Sequence, residues 1–119
     1  MADGETVAGV VTVEPTVLET IVRLTVAEVP GVVNVAERDM DRFLGVTGKS
    51  VCVEVKDGRV TVDVHVIAGP DQSLLQLGRL VQREVTRAIQ QMVGMTVDAV
   101  NVYIEDVVYP EDKGLTSAD

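Results

Sequence analysis

The chain is poor in rings, thiols and positive charge, and each shortage narrows what it can be. With 119 residues but no Trp, two Tyr and one Phe, the interior must be packed by shape from Val, Leu, Ile and Ala, a composition suited to β-branched strands. A lone cysteine, Cys52, rules out an internal disulfide. Ten Lys and Arg stand against nineteen Asp and Glu, a net charge of −9. That balance repels phosphate backbones and argues against nucleic-acid binding through overall electrostatics. Long apolar runs are missing as well: the stretch 7–13 is broken by Gly9 and Thr12 and ends at Glu14. This falls far short of the roughly 20 apolar residues of a membrane helix, so direct insertion is not expected. No charged start followed by an apolar run and a small-residue cleavage site is present. The expected location is therefore cytoplasmic.

What is abundant is valine in alternation. Residues 51–56 and 59–66 each place valine at every second position, and Asp57-Gly58 lies between them. Two such residues between alternating runs specify a type I′ hairpin. The register follows: Lys56 faces Arg59, Val55 faces Val60, Val53 faces Val62 and Val51 faces Val64. Side chains alternate across a strand, so these valines share one face. Glu54 with Thr61, Cys52 with Asp63 and Ser50 with His65 occupy the other, which predicts a sheet covered on one side only.

The flanks supply the cover. Residues 6–13 read as a first strand, and Pro15 suits the first turn of a helix whose apolar positions Leu18, Ile21, Val22, Thr25, Val26 and Val29 recur at steps of three and four. Pro30-Gly31 stops it, and a short strand follows at 32–35. Residues 36–49 form a charged loop, long enough in a small domain to suggest function. After the hairpin, Gly69-Pro70-Asp71 closes the strand before a second helix at about 73–92, with Leu74, Leu77, Val81, Val85, Ala88 and Met92 on one face. Gly94 suits its C-terminal cap, and 96–107 returns to alternation. The expected fold is α+β, a two-layer sandwich in β-α-β-β-β-α-β order, with two helices packed on one face of a mostly antiparallel sheet. Residues 1–119 make a single domain with an ordered core of about 6–109 and frayed tails at 1–5 and 111–119.

Several groups invite a chemical reading. The hairpin register sets Cys52 opposite Asp63 with His65 on the diagonal, an outline of a nucleophile, base and orienter. A carboxylate facing a thiol disfavours the thiolate, however, so a structural cysteine and a surface histidine are the better reading. Glu37, Asp39 and Asp41 could gather a hard cation, but they lack the spaced ligand ladder of a calcium loop and are interrupted by Arg38 and Arg42. Gly45-Val46-Thr47-Gly48 has the bare pattern of a KH-domain backbone clamp, yet it precedes a strand rather than joining helices and carries no base. Neither a catalytic, a cofactor nor a metal site is expected. The remaining feature is Arg79, Arg83 and Arg87 at four-residue steps on the second helix, bordered by Gln76, Gln82, Gln90 and Gln91. Such a stripe can be an ordinary wet helix face, with Glu84 as a compensating carboxylate, or a docking site for an acidic partner, a neighbouring subunit or anionic headgroups.

Taken in order, residues 9–15, the Glu28-Val29-Pro30-Gly31-Val32 run, the valine hairpin and residues 97–102 (Val-Asp-Ala-Val-Asn-Val) resemble the alkaline-shock protein family of envelope stress response proteins, found mainly in Gram-positive bacteria. The resemblance covers about 9–107. It departs at Ala68-Gly69-Pro70, where members often carry a Tyr-Gly pair. It implies a small non-enzymatic protein without cofactors that self-associates and sits beneath the membrane, at its inner face, through a separate membrane-anchored partner. The alternative, from a different class, is a small regulatory domain that binds a small ligand or RNA, since this frame serves both.

Overall fold

Backbone direction reverses at Asp57-Gly58, and the sheet is built outward from that hairpin. The computed structural model describes residues 7–35 and 50–109. Its elements are α1 (Pro15–Ala27), β1 (Val32–Val35), β2 (Val51–Lys56), β3 (Arg59–Ala68), α2 (Leu74–Ala88) running into a π turn at Ile89–Val93, and β4 (Thr96–Val107). Asp57 and Gly58 have φ of 55° and 76°, the pair of positive values that a type I′ turn requires. The pairs Val55 with Val60, Val53 with Val62 and Val51 with Val64 are those expected from the sequence.

β3 is the spine of the sheet. Along one edge it pairs antiparallel with β2 over 59–64 and with β1 over 66–68, while β4 runs parallel along its other edge. Parallel neighbours cannot be joined by a tight turn, and α2 is the crossover. Both helices lie on the valine face: α1 packs against β1, β2 and α2, and α2 packs against β4. Val60, Val62, Val64, Val66 and Ala68 on β3 are fully buried beneath Leu18, Val22 and Val26 of α1 and Leu77, Val81 and Val85 of α2. The two-layer α+β class therefore holds. Toward the hairpin tip the cover thins, and Val55 is 37% exposed.

Local chemistry accounts for the element ends. Pro15 opens α1, where its missing N–H costs nothing. Ser73 caps α2 by accepting a hydrogen bond from the Gln76 backbone N–H at 3.2 Å. Gly94, at φ 84°, closes the π turn by donating its N–H to the Ile89 carbonyl. Ile89, four residues after Val85, continues the buried row of Leu77, Val81 and Val85, and the wide turn beyond it corrects the predicted helical stripe by swinging Met92 out to 69% exposure. At the start of β1, Gln72 clamps two glycine turns together: its Nε2 donates to the carbonyls of Gly31 at 3.1 Å and Gly69 at 3.0 Å. The Gly69 N–H donates to the Gly31 carbonyl as well, which ties the end of β3 to the start of β1.

The leading segment differs from its sequence pattern. Residues 7–14 carry no strand, so the described elements run α-β-β-β-α-β. Val7, Val10 and Val11 are 84%, 92% and 95% exposed. Thr6, the expected tails 1–5 and 111–119, and the loop 36–49 with Glu37, Asp39, Asp41 and the Gly45 to Gly48 motif lie outside the described residues.

Candidate interaction surface

α2 is two-sided, and this places the arginines. With Leu77, Val81 and Val85 buried against the sheet, the residues two positions on from each, Arg79, Arg83 and Arg87, project to solvent. They rise about 6 Å apart along the axis, as four residues per step dictates. Arg79 donates from Nη1 to Gln82 Oε1 at 3.3 Å, and Arg83 Nε lies 3.9 Å from Glu84 Oε2 with its side chain 67% exposed. Among the described residues Arg87 has no ion-pair partner. Glu84 therefore compensates one arginine weakly, and the stripe keeps most of its charge available.

The stripe borders an apolar groove. A cleft of about 540 Å³ runs between the first half of α2, at Leu74, Leu75 and Gly78, and the far end of β4, at Val102, Ile104 and Val107. Arg79 and Gln82 stand at its rim and continue into the shallow depression along Arg83 and Arg87. An apolar centre with a charged border is the anatomy of a protein–protein contact.

The open sheet face is already engaged with itself. Cys52 faces Asp63 as expected and is exposed. Asp63, however, accepts a hydrogen bond from Asn101 Nδ2 at 2.8 Å, and His65 pairs through Nδ1 with Glu105 while stacking on Tyr103 at a centroid distance of 4.7 Å. Alternation along β4 puts Asn101, Tyr103 and Glu105 on one face, and with Tyr103 opposite His65, Glu105 is the diagonal neighbour of His65. Arg59 and Asp98 close the other end of the row with an ion pair at 2.7 Å. Cys52, Asp63 and His65 are thus neighbours without a shared task. Asn101, Tyr103 and Glu105, the partners of Asp63 and His65, were hidden in the sequence because the strand neighbour of 96–107 is not written there. No three His, Cys, Asp or Glu side chains among the described residues gather to hold a metal ion.

Over residues 3–109 the chain matches the alkaline shock protein 23 family, described as having a cell envelope-related function. The chain belongs to that family. Similar members include the uncharacterized protein YqhY of Bacillus subtilis, 29% identical over 105 residues that cover 84% of this chain and 78% of that one. Another is the uncharacterized protein Spy1614 of Streptococcus pyogenes serotype M6, 26% identical over 106 residues, covering 83% and 88%. Among solved structures, two MamM CTD chains superpose on this alkaline shock family member with a TM-score of 0.50 at 13% identity. They cover 76% of this chain, which covers 93% and 96% of them, and the likeness is one of fold. None of the described helices is long and apolar enough to cross a membrane.

Proposed function

We propose that this chain is a non-enzymatic envelope stress response protein of the alkaline shock family, cytoplasmic and peripheral to the membrane, working as an interaction module. It associates with itself and is held at the inner face of the membrane by a membrane-anchored partner. Arg79, Arg83 and Arg87 are the charged docking stripe. The observation that carries this reading is the stripe itself: three exposed arginines on one helix face, beside an apolar groove, in a chain of net charge −9. Arginine forks suit carboxylates, and a positive strip on an acidic body selects an acidic partner surface over the many neutral ones. The family's cell envelope-related description agrees with a place at the membrane.

The decisive experiment is a pull-down from membrane and soluble fractions with wild type and with Arg79→Glu, Arg83→Glu and Arg87→Glu combined. Loss of the membrane-fraction partner with an unchanged circular dichroism spectrum is expected. Equal capture by the reversed variant removes the stripe from the interface.

A further inference from the structure

Two features of the molecule are incomplete by themselves and complementary to each other. The first is the segment 7–12, Val-Ala-Gly-Val-Val-Thr, which is rich in valine and contains no proline, yet lies unpaired with Val7, Val10 and Val11 at 84–95% exposure. Such a segment leaves its backbone groups to water and its valines uncovered. The second is β4, twelve residues long, which pairs with β3 on one edge and with no described strand on the other. Next to that edge lies the apolar groove under α2, with Leu75 70% exposed on its wall. An unpaired edge of this length is normally blunted by charge or cover. Here Gln82 caps one acceptor, the Val100 carbonyl, at 3.0 Å, and among the described residues the stretch 102–107 beyond it has no strand on this edge along the groove.

Gly78 is the third observation. It sits inside α2, where glycine weakens a helix relative to alanine, and a Cβ built there would meet nothing within 4 Å. Nothing inside the domain therefore asks for glycine. A glycine on the wall of a groove does permit a second backbone to approach closely.

We propose that residues 7–12 of one copy add as an extra strand to the free edge of β4 in a second copy, laying Val7 and Val11, which share a face of such a strand, into the groove beside Gly78. The lengths agree, since six residues of strand span about 20 Å and the open stretch 102–107 is also six residues. A second copy is the occupant because the segment is tethered at Val13, which packs on its own core, to α1. In its own chain α2 stands between α1 and β4, as the packing of α1 on α2 and of α2 on β4 requires. Strand addition supplies main-chain hydrogen bonds, and the groove supplies side-chain selectivity. The proposal rests on the self-association read above and names its contact.

The test uses the 119-residue chain in sedimentation velocity with four samples, the wild type, two variants and their mixture. Val7→Asp combined with Val11→Asp disables the arm at exposed positions, and Gly78→Leu fills the groove at a position where a Cβ meets nothing within 4 Å. Each alone is expected to weaken association at least tenfold, with the melting temperature of the Gly78→Leu variant unchanged or raised. Mixing the two restores one intact arm and one intact groove, so heterodimers form. Wild-type association by either variant, or a mixture that stays monomeric, overturns the strand exchange while leaving self-association standing. Lower thermal stability of the arm variant with undiminished association means that the segment closes on its own sheet, and this also overturns it. A wild type that stays monomeric at every concentration removes self-association as well.

Discussion

Gly31→Ala offers a sharp test of the corner where β1 leaves the end of β3. Gly31 has φ of 101°, a region that side chains rarely adopt, and a Cβ there would stand 1.9 Å from Gln72 Oε1. Two losses follow. Holding a non-glycine residue in such a conformation costs about 1–3 kcal/mol. Displacing the Gln72 amide also breaks its hydrogen bonds to the Gly31 and Gly69 carbonyls, worth about 1 kcal/mol each. The expected total is about 3–5 kcal/mol, or a fall in melting temperature of roughly 12 °C or more for a domain of this size. Gln72→Ala alone loses only the hydrogen bonds, about 2 kcal/mol. Because the same bonds are broken in both single variants, the double variant should cost about as much as Gly31→Ala, leaving a coupling of about 2 kcal/mol. The assay is urea unfolding by far-ultraviolet circular dichroism, at low protein concentration so that association does not add to stability. A Gly31→Ala variant within about 0.5 kcal/mol of wild type, or strict additivity in the double variant, refutes the clamp.

Three further outcomes are expected. Gly58→Ala, where a Cβ meets nothing within 4 Å, should cost about 1–2 kcal/mol from its positive φ alone, read as a lower urea midpoint with an unchanged slope. Val62→Ala, fully buried, should cost about 2–3 kcal/mol by transfer plus cavity, whereas Val11→Ala should leave the unfolding of the monomer unchanged. Cys52, exposed and facing Asp63, should be alkylated at neutral pH no faster than a free model thiol; marked acceleration would reopen the trio with His65.

The parts of the fold that were legible in the sequence are those set by neighbours along the chain. Valine alternation and Asp57-Gly58 specified the hairpin to the residue, because turn geometry and a period of two admit one register. The stripes of α1 and the first three turns of α2 were legible for the same reason. Met92 left the stripe because the π turn is a departure from the period that the stripe assumed. The parallel neighbour of β4 was not legible, since pairing across a crossover depends on where α2 delivers the chain. With it went the link from His65 to Glu105, which exists only once β4 is set beside β3. Residues 7–13 have the composition of a strand, but a strand needs an edge, and local sequence carries no information about whose edge that is. Of the candidate surface, the arginine stripe was readable from spacing. The groove beside it was not, because half of its wall comes from β4.

The most direct measurement is sedimentation velocity of the wild-type chain over a wide range of concentrations. A module that works by pairing with itself should shift from the 12.8 kDa monomer toward dimer or larger species as concentration rises. A single monomeric boundary throughout, with the far-ultraviolet spectrum of the folded domain, would contradict it.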